Sequence, residues 1–238
     1  MHRACRRIAS ERGDLEMDTD GAGHDVRAAV TTALRRSQRH DRPYRHWFLA
    51  DVLPSATARA LAALPVTGAA AAAGRRESAN ATRVFVGTEM QAQHAVCAEL
   101  ARAFQAPETV AAIHDATAAP LDGGSLRIEY AVDGDGFWLE PHTDIGAKRL
   151  TFLIYLNDWP GAEDYGTDIY AGADRASRVG RSPAGFNAGF AFVPAEDTWH
   201  GFEPRPVPAP RRSLIVNYVG PEWRNRHELA FPDDPVRV

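Results

Sequence analysis

From Ser125 onward the chain is a succession of short apolar segments cut by Gly, Asp and Pro. This pattern restricts the fold more than any other feature. The segments read "SLRIEYAV", "GFWLEPH", "RLTFLIYLN", "TDIYAG", "GFAFVP", "TWHGFEP" and "RRSLIVNYV". Short strands at even spacing, with turn residues between them, build a sandwich or a barrel. Upstream the texture is helical. Residues 25–39, "DVRAAVTTALRRSQR", form an amphipathic pattern with basic later turns, which suits a helix C-terminus. "YRHWFLADVLP" looks extended, and "TRVFVG" is a short strand. Ser55 is placed to cap an alanine-rich helix that Pro65 stops. Thr88 is placed to cap another, with Gln91 at the capping-box position, running to about Phe104. A further helix is predicted over 107–117. Helices first and strands later imply segregated layers, a mainly β fold of the α+β class buttressed by N-terminal helices.

The 238 residues suffice for one core and one domain, expected over 25–238. Residues 1–24 are polar and rich in Gly and Asp, so a flexible leader is expected there, with either Met1 or Met17 as the start. The net charge of -4 leaves no nucleic-acid or membrane footprint. No apolar run approaches the roughly 20 residues of a membrane span, and no apolar stretch follows the N-terminal arginines. A soluble, cytoplasmic protein is the expectation. Cys5 lies in the leader and Cys97 in a helical pattern, where a buried reduced thiol is expected. Lys148 is the only lysine.

Chemistry enters with "EPHTDIGAKRLTFLIYLN". Residues two apart in a strand point to one side, so His142 and Asp144 can face a single point at a strand end. Imidazole and carboxylate suit a divalent transition metal, and a third ligand should lie downstream. Among nine histidines only His200, in "DTWHGFEP", falls on another predicted strand of the same region. Two histidines and one carboxylate on one face of a metal leave positions open for oxygen-activating chemistry. Taken alone, His142 and Asp144 read equally well as a polar turn, and His200 as a packed histidine.

A second pattern follows. Arg211 and Ser213 alternate on the last strand, "RRSLIVNYV", and share a face. An inward arginine beside a metal calls for an anion. A small dicarboxylate, held by the metal at one end and by the guanidinium fork at the other, resolves the conflict.

The ordered set "HTD", "WHG" and "RRS" resembles the Fe(II)- and 2-oxoglutarate-dependent oxygenases. "RLTFLIYLN" looks like the strand that follows the HxD motif in their prolyl-hydroxylase-like branch. The resemblance spans about 125–220 and implies a double-stranded β-helix, or jelly-roll, core. It implies Fe(II) on His142, Asp144 and His200, with O2 as co-reactant. It also implies a 2-oxoglutarate far carboxylate on Arg211, with Ser213 and Tyr155 beside it. The spacing from His200 leaves Arg211 and Arg212 both open as the anchor, and Ser213 two positions on favours Arg211. The activity implied is hydroxylation with release of succinate and CO2, with desaturation or cyclisation as other outcomes. A carboxylate at Asp144 argues against halogenation.

For the substrate wall, strand parity aims Trp138 inward, whereas a bulge at Pro141 would aim Phe137 and Leu139 there instead. Asn217 shares parity with Arg211 and is a substrate-facing candidate or a structural hydrogen bond. Specificity is expected in the segment 66–82 and the loops 132–136 and 158–166. A small molecule is the expected substrate, such as an amino acid or natural-product intermediate. A protein side chain, a cupin-like metal enzyme without the cosubstrate, and a non-catalytic binding barrel are the alternatives. The sequence does not specify an oligomeric state.

Overall fold

The structure is a computed structural model, which describes residues 19–66 and 81–238. Its strands are β1 (Gln38–His40), β2 (His46–Leu49), β3 (Ala81–Phe85), β4 (Ser125–Asp133), β5 (Leu139–His142), β6 (Lys148–Tyr155), β7 (Asp168–Tyr170), β8 (Arg178–Arg181), β9 (Gly189–Phe192), β10 (His200–Phe202) and β11 (Arg211–Val219). Its helices are α1 (Thr19–Arg35), α2 (Ser55–Ala62), α3 (Thr88–Gln93), α4 (Ala95–Gln105) and α5 (Pro107–Thr117). The strands pair antiparallel in two sheets, ordered β1-β2-β9-β6-β11-β4-β3 and β5-β10-β7-β8. This is the expected jelly-roll core with helices on one side.

Strand alternation separates the two faces of the larger sheet. In β4 the even positions Leu126, Ile128 and Tyr130 are fully buried in the main core, with Phe152 and Ile154 of β6 and Leu214, Val216 and Tyr218 of β11. Against them pack Val26 and Val30 of α1, Leu100, Ala101 and Phe104 of α4, and Ile113 of α5. Phe104 meets Phe152 edge-on at 6.0 Å, and the Tyr218 hydroxyl donates to the Phe104 carbonyl at 2.6 Å. The odd positions face the smaller sheet. There Tyr44, Leu153, Tyr155, Ile169, Phe190 and Phe192 form a second apolar cluster.

The helical layer departs from the sequence reading in three places. The first helix begins at Thr19 and ends at Arg35, and residues 38–40 instead form β1 against β2. The helix from Thr88 breaks at His94, whose extended backbone (φ -133, ψ 105) separates α3 from α4. Gln91 makes no capping box; its amide donates to the Val86 and Ala230 carbonyls, which tie the helix to the C-terminal tail. Ser55 is the first helical residue and makes no capping bond. Strand β8, "RVGR", carries no apolar run and so has no counterpart in the sequence pattern. Of the expected leader, residues 1–18 lie outside the described residues, as do 67–80 of the expected specificity segment. Cys97 is buried, as expected, and is unpaired among the described residues. No described helix is long and apolar enough to cross a membrane.

Candidate metal centre

The two histidines meet because β5 and β10 are hydrogen-bonded neighbours in which His142 pairs directly with His200. Gly201 permits this approach. A Cβ there would lie 2.7 Å from the Leu139 carbonyl oxygen and 3.0 Å from that of Glu140. Each imidazole Nδ1 lies against a backbone carbonyl: His142 on Glu140 at 2.8 Å, His200 on Thr198 at 2.9 Å. A carbonyl can only accept, so Nδ1 carries the hydrogen in both rings and Nε2 keeps its lone pair. The ring centroids are 4.3 Å apart. Asp144 follows on the loop after β5, and ligand atoms of His142, Asp144 and His200 all lie within 4.8 Å of one another. Residues brought together in this way fit a divalent ion.

Electrostatics favour the ligand-competent protonation states. Burial, then the neighbouring His200, push His142 down to about 4. Burial likewise lowers His200. For Asp144 burial acts upward, but the Lys148 ammonium, His200 and hydrogen bonds from Lys148 and Thr151 outweigh it and hold the carboxyl well below its usual range. The Lys148 amine donates to Asp144 Oδ1 at 2.7 Å and the Thr151 hydroxyl to Oδ2 at 2.6 Å. Both imidazoles are therefore neutral and the carboxylate charged near pH 7.

A stability prediction follows. Between about pH 6.5 and 4 the unfolded chain binds a proton at His142 that the folded chain refuses. Metal-free protein should thus lose stability as pH falls through that window, by up to about 1.4 kcal/mol per pH unit for one such proton. His200 adds in the same direction. Urea unfolding at a series of pH values should show a shallower dependence for His142→Asn than for wild type; equal slopes would contradict the assignment.

The triad opens into a cavity of about 470 Å³. Arg211 lies on its wall; Arg212, one residue on, lies on the other face of the sheet, where its charge acts on Tyr130. Arg211 is buried, donating from Nε to the Tyr165 carbonyl at 2.7 Å and from Nη1 to Asp133, its partner across the β11–β4 pair. The Ser213 hydroxyl also faces the cavity and has no hydrogen-bond partner among the described residues, a buried polar atom that suits an incoming carboxylate.

Three sequence candidates are placed differently. The Tyr155 hydroxyl is shared with the hydroxyls of Thr167 (2.8 Å) and Ser182 (2.7 Å) and accepts from the Thr167 amide. It therefore bridges the two sheets outside the cavity wall, while its ring lies 5.4 Å from the Arg211 guanidinium. Trp138 does not line the cavity. The β5–β10 register shifts between His200 and Phe202, and this bulge turns Phe137 and Leu139 inward. Trp138 lies instead beside the Arg175 guanidinium, which also holds Glu140. Asn217 is fully buried and bonded to Thr151 and Arg127, away from the cavity lining.

Lys148, Thr151, Asp133, Glu129, Arg83 and Phe202 also line the cavity. Sequence reasoning missed them. One signal was present: in "SLRIEYAVD" Arg127, Glu129 and Asp133 alternate with Leu126, Ile128 and Tyr130, which marks a polar inner face.

No protein-family model and no curated protein matches the sequence. Solved structures do. A prolyl-4-hydroxylase from Pseudomonas putida matches with a TM-score of 0.56 at 16% identity, over 82% of this chain and 98% of that one. A prolyl hydroxylase from Trichoplax adhaerens, in complex with a hypoxia inducible factor peptide fragment, matches with a TM-score of 0.56 at 14% identity, over 87% and 94%. The non-heme alpha ketoglutarate dependent epimerase SnoN from nogalamycin biosynthesis matches with a TM-score of 0.52 at 16% identity, over 88% and 89%. The chain thus has the double-stranded β-helix fold seen in these 2-oxoglutarate-dependent enzymes. At identities of 14–16% the likeness concerns the fold.

Proposed function

We propose that this protein is an Fe(II)- and 2-oxoglutarate-dependent dioxygenase that hydroxylates an unactivated C–H bond of a small molecule. The observation that carries the reading is the convergence of the His142, Asp144 and His200 triad and the buried Arg211 on one cavity. His142, Asp144 and His200 would hold iron, which when bound supplies O2 activation coupled to conversion of 2-oxoglutarate to succinate and CO2. Arg211 would grip the far carboxylate with its remaining guanidinium hydrogens, and the Ser213 hydroxyl would donate its proton to the same group. Phe137, Leu139 and Phe202 form an apolar wall that limits water near the metal.

Charge bounds the substrate. The cavity presents Arg83, Lys148 and Arg211 against Glu129, Asp133 and Asp144, so its side chains balance. A divalent cation and a doubly charged cosubstrate also cancel. A substrate without net charge fits this balance best, such as a zwitterionic amino acid or an uncharged natural-product intermediate. The cavity volume is of small-molecule size. A cytoplasmic location belongs to this reading. The prolyl hydroxylase neighbours, one of them bound to a peptide, favour a protein side chain as the second reading.

The test has two stages. Anaerobic addition of Fe(II) and 2-oxoglutarate should give a visible charge-transfer band, and its absence in fully metallated protein would count decisively against the proposal. Aerobic screening of free amino acids, natural-product intermediates and proline-containing peptides should then reveal substrate-dependent succinate release. Stimulation by peptides alone would favour the second reading.

A further inference from the structure

Asp144 differs from the two histidines in how it is held. His142 and His200 ride on paired strands, whereas Asp144 lies on the loop between β5 and β6. Its carboxylate must be fixed by side chains. On one oxygen that task falls to a buried chain of hydrogen bonds whose direction is determined at every link. Arg127 Nη1 lies 3.1 Å from Asn217 Oδ1. A guanidinium only donates, so the amide oxygen faces Arg127 and the amide nitrogen faces Thr151, 3.0 Å from its Oγ1. The Thr151 hydroxyl therefore accepts from Asn217, and its single proton is directed to Asp144 Oδ2 at 2.6 Å. The reverse orientation would set donor against donor at Arg127. It would also leave the Thr151 hydroxyl with one proton for two acceptors, the amide oxygen and the Asp144 carboxylate.

Arg127 is itself immobilised, by Glu228 at 2.6 Å and Glu129 at 2.7 Å, between the rings of Phe85 and Trp223. Asn217 and Thr151 are paired residues of β11 and β6, the two central strands beside the cavity.

We propose that Asn217 is a positioning residue for the metal site: it orients the Thr151 hydroxyl, which fixes the Asp144 carboxylate, while Arg127 sets the orientation of the amide. The inference rests on the metal-binding reading above. It gives the loop-borne ligand a link to the sheet through Oδ2, and it leaves Oδ1 to the Lys148 amine.

The decisive variant is Asn217→Asp, which keeps shape but removes the donor. The substituted carboxylate would still accept from Arg127, and Thr151 would turn its proton toward that carboxylate, away from Asp144. The probe is Co(II), titrated by its visible d–d absorption. Added negative charge alone would tighten cation binding, whereas loss of the relay should loosen it, by about 10- to 100-fold as for other outer partners of metal ligands. Thr151→Val should loosen it similarly, Thr151→Ser should restore it, and the double variant Asn217→Asp/Thr151→Val should be no worse than the weaker single. Unchanged or tighter binding in folded Asn217→Asp, or losses that add in the double variant, would overturn the proposal. Failure of wild-type protein to bind Co(II) would instead remove the metal site itself, and the inference with it.

Discussion

Replacement of His142 by alanine is expected to abolish the charge-transfer band formed with Fe(II) and 2-oxoglutarate, and with it all succinate production. In the proposed site the ring would contribute one of three ligands, and its tautomer is preset by the Glu140 carbonyl, which leaves the Nε2 lone pair free to coordinate. Loss of an outer partner costs metal sites about 10- to 100-fold in affinity; loss of a ligand should exceed that range. The fold should survive, because His142 lies at the end of a short strand at the cavity edge and not in the main apolar core. Equilibrium dialysis against Fe(II) under nitrogen, with circular dichroism as the folding control, measures both. A His142→Ala protein that retains wild-type iron binding would remove the basis of the proposed function.

The second large effect concerns the cosubstrate. Arg211→Ala should raise the 2-oxoglutarate requirement by about 100-fold or more, since two hydrogen bonds to a charged group contribute roughly 1.5 to 3 kcal/mol each. Arg212→Ala should leave it nearly unchanged, because that side chain lies on the opposite face of the sheet near Tyr130. Asp133 would not be stranded in the first variant, as Arg83 Nη1 remains 2.7 Å from it. Arg211→Lys should fall between, keeping the charge but losing the fork that also holds the Tyr165 carbonyl. Titration of 2-oxoglutarate into the Fe(II) protein, followed by the same band, orders the three variants. A larger defect in Arg212→Ala would move the anchor to the other face.

Much of this was legible in the chain. The short apolar segments recurring at even spacing from Ser125 onward predict the strands, and all seven of those segments form strands. The parity of Arg211 with Ser213 aims that pair to one side of β11, and both line one cavity with His142 and with Asp144, which lies on the loop after β5. Where the reading failed, tertiary contacts overrode local pattern. Trp138 had the expected parity, but a bulge opposite His200 and Phe202 reversed it. Asn217 had inward parity too, yet it sits deep between strands where Arg127, Thr151 and the Leu150 carbonyl engage its amide. Tyr155 points its hydroxyl past the cavity to the other sheet.

The order of residues along the chain determined which chemical groups are available and, where no bulge intervenes, which face of a strand each occupies, because backbone geometry imposes that alternation. Only the folded arrangement decided which groups meet. The pairing of β5 with β10, the bulge between them and the proton direction in the Arg127–Asn217–Thr151–Asp144 chain depend on strands distant in sequence. No local preference encodes the distance between two such strands; it is set by how their side chains pack and by the requirement that buried polar atoms find partners.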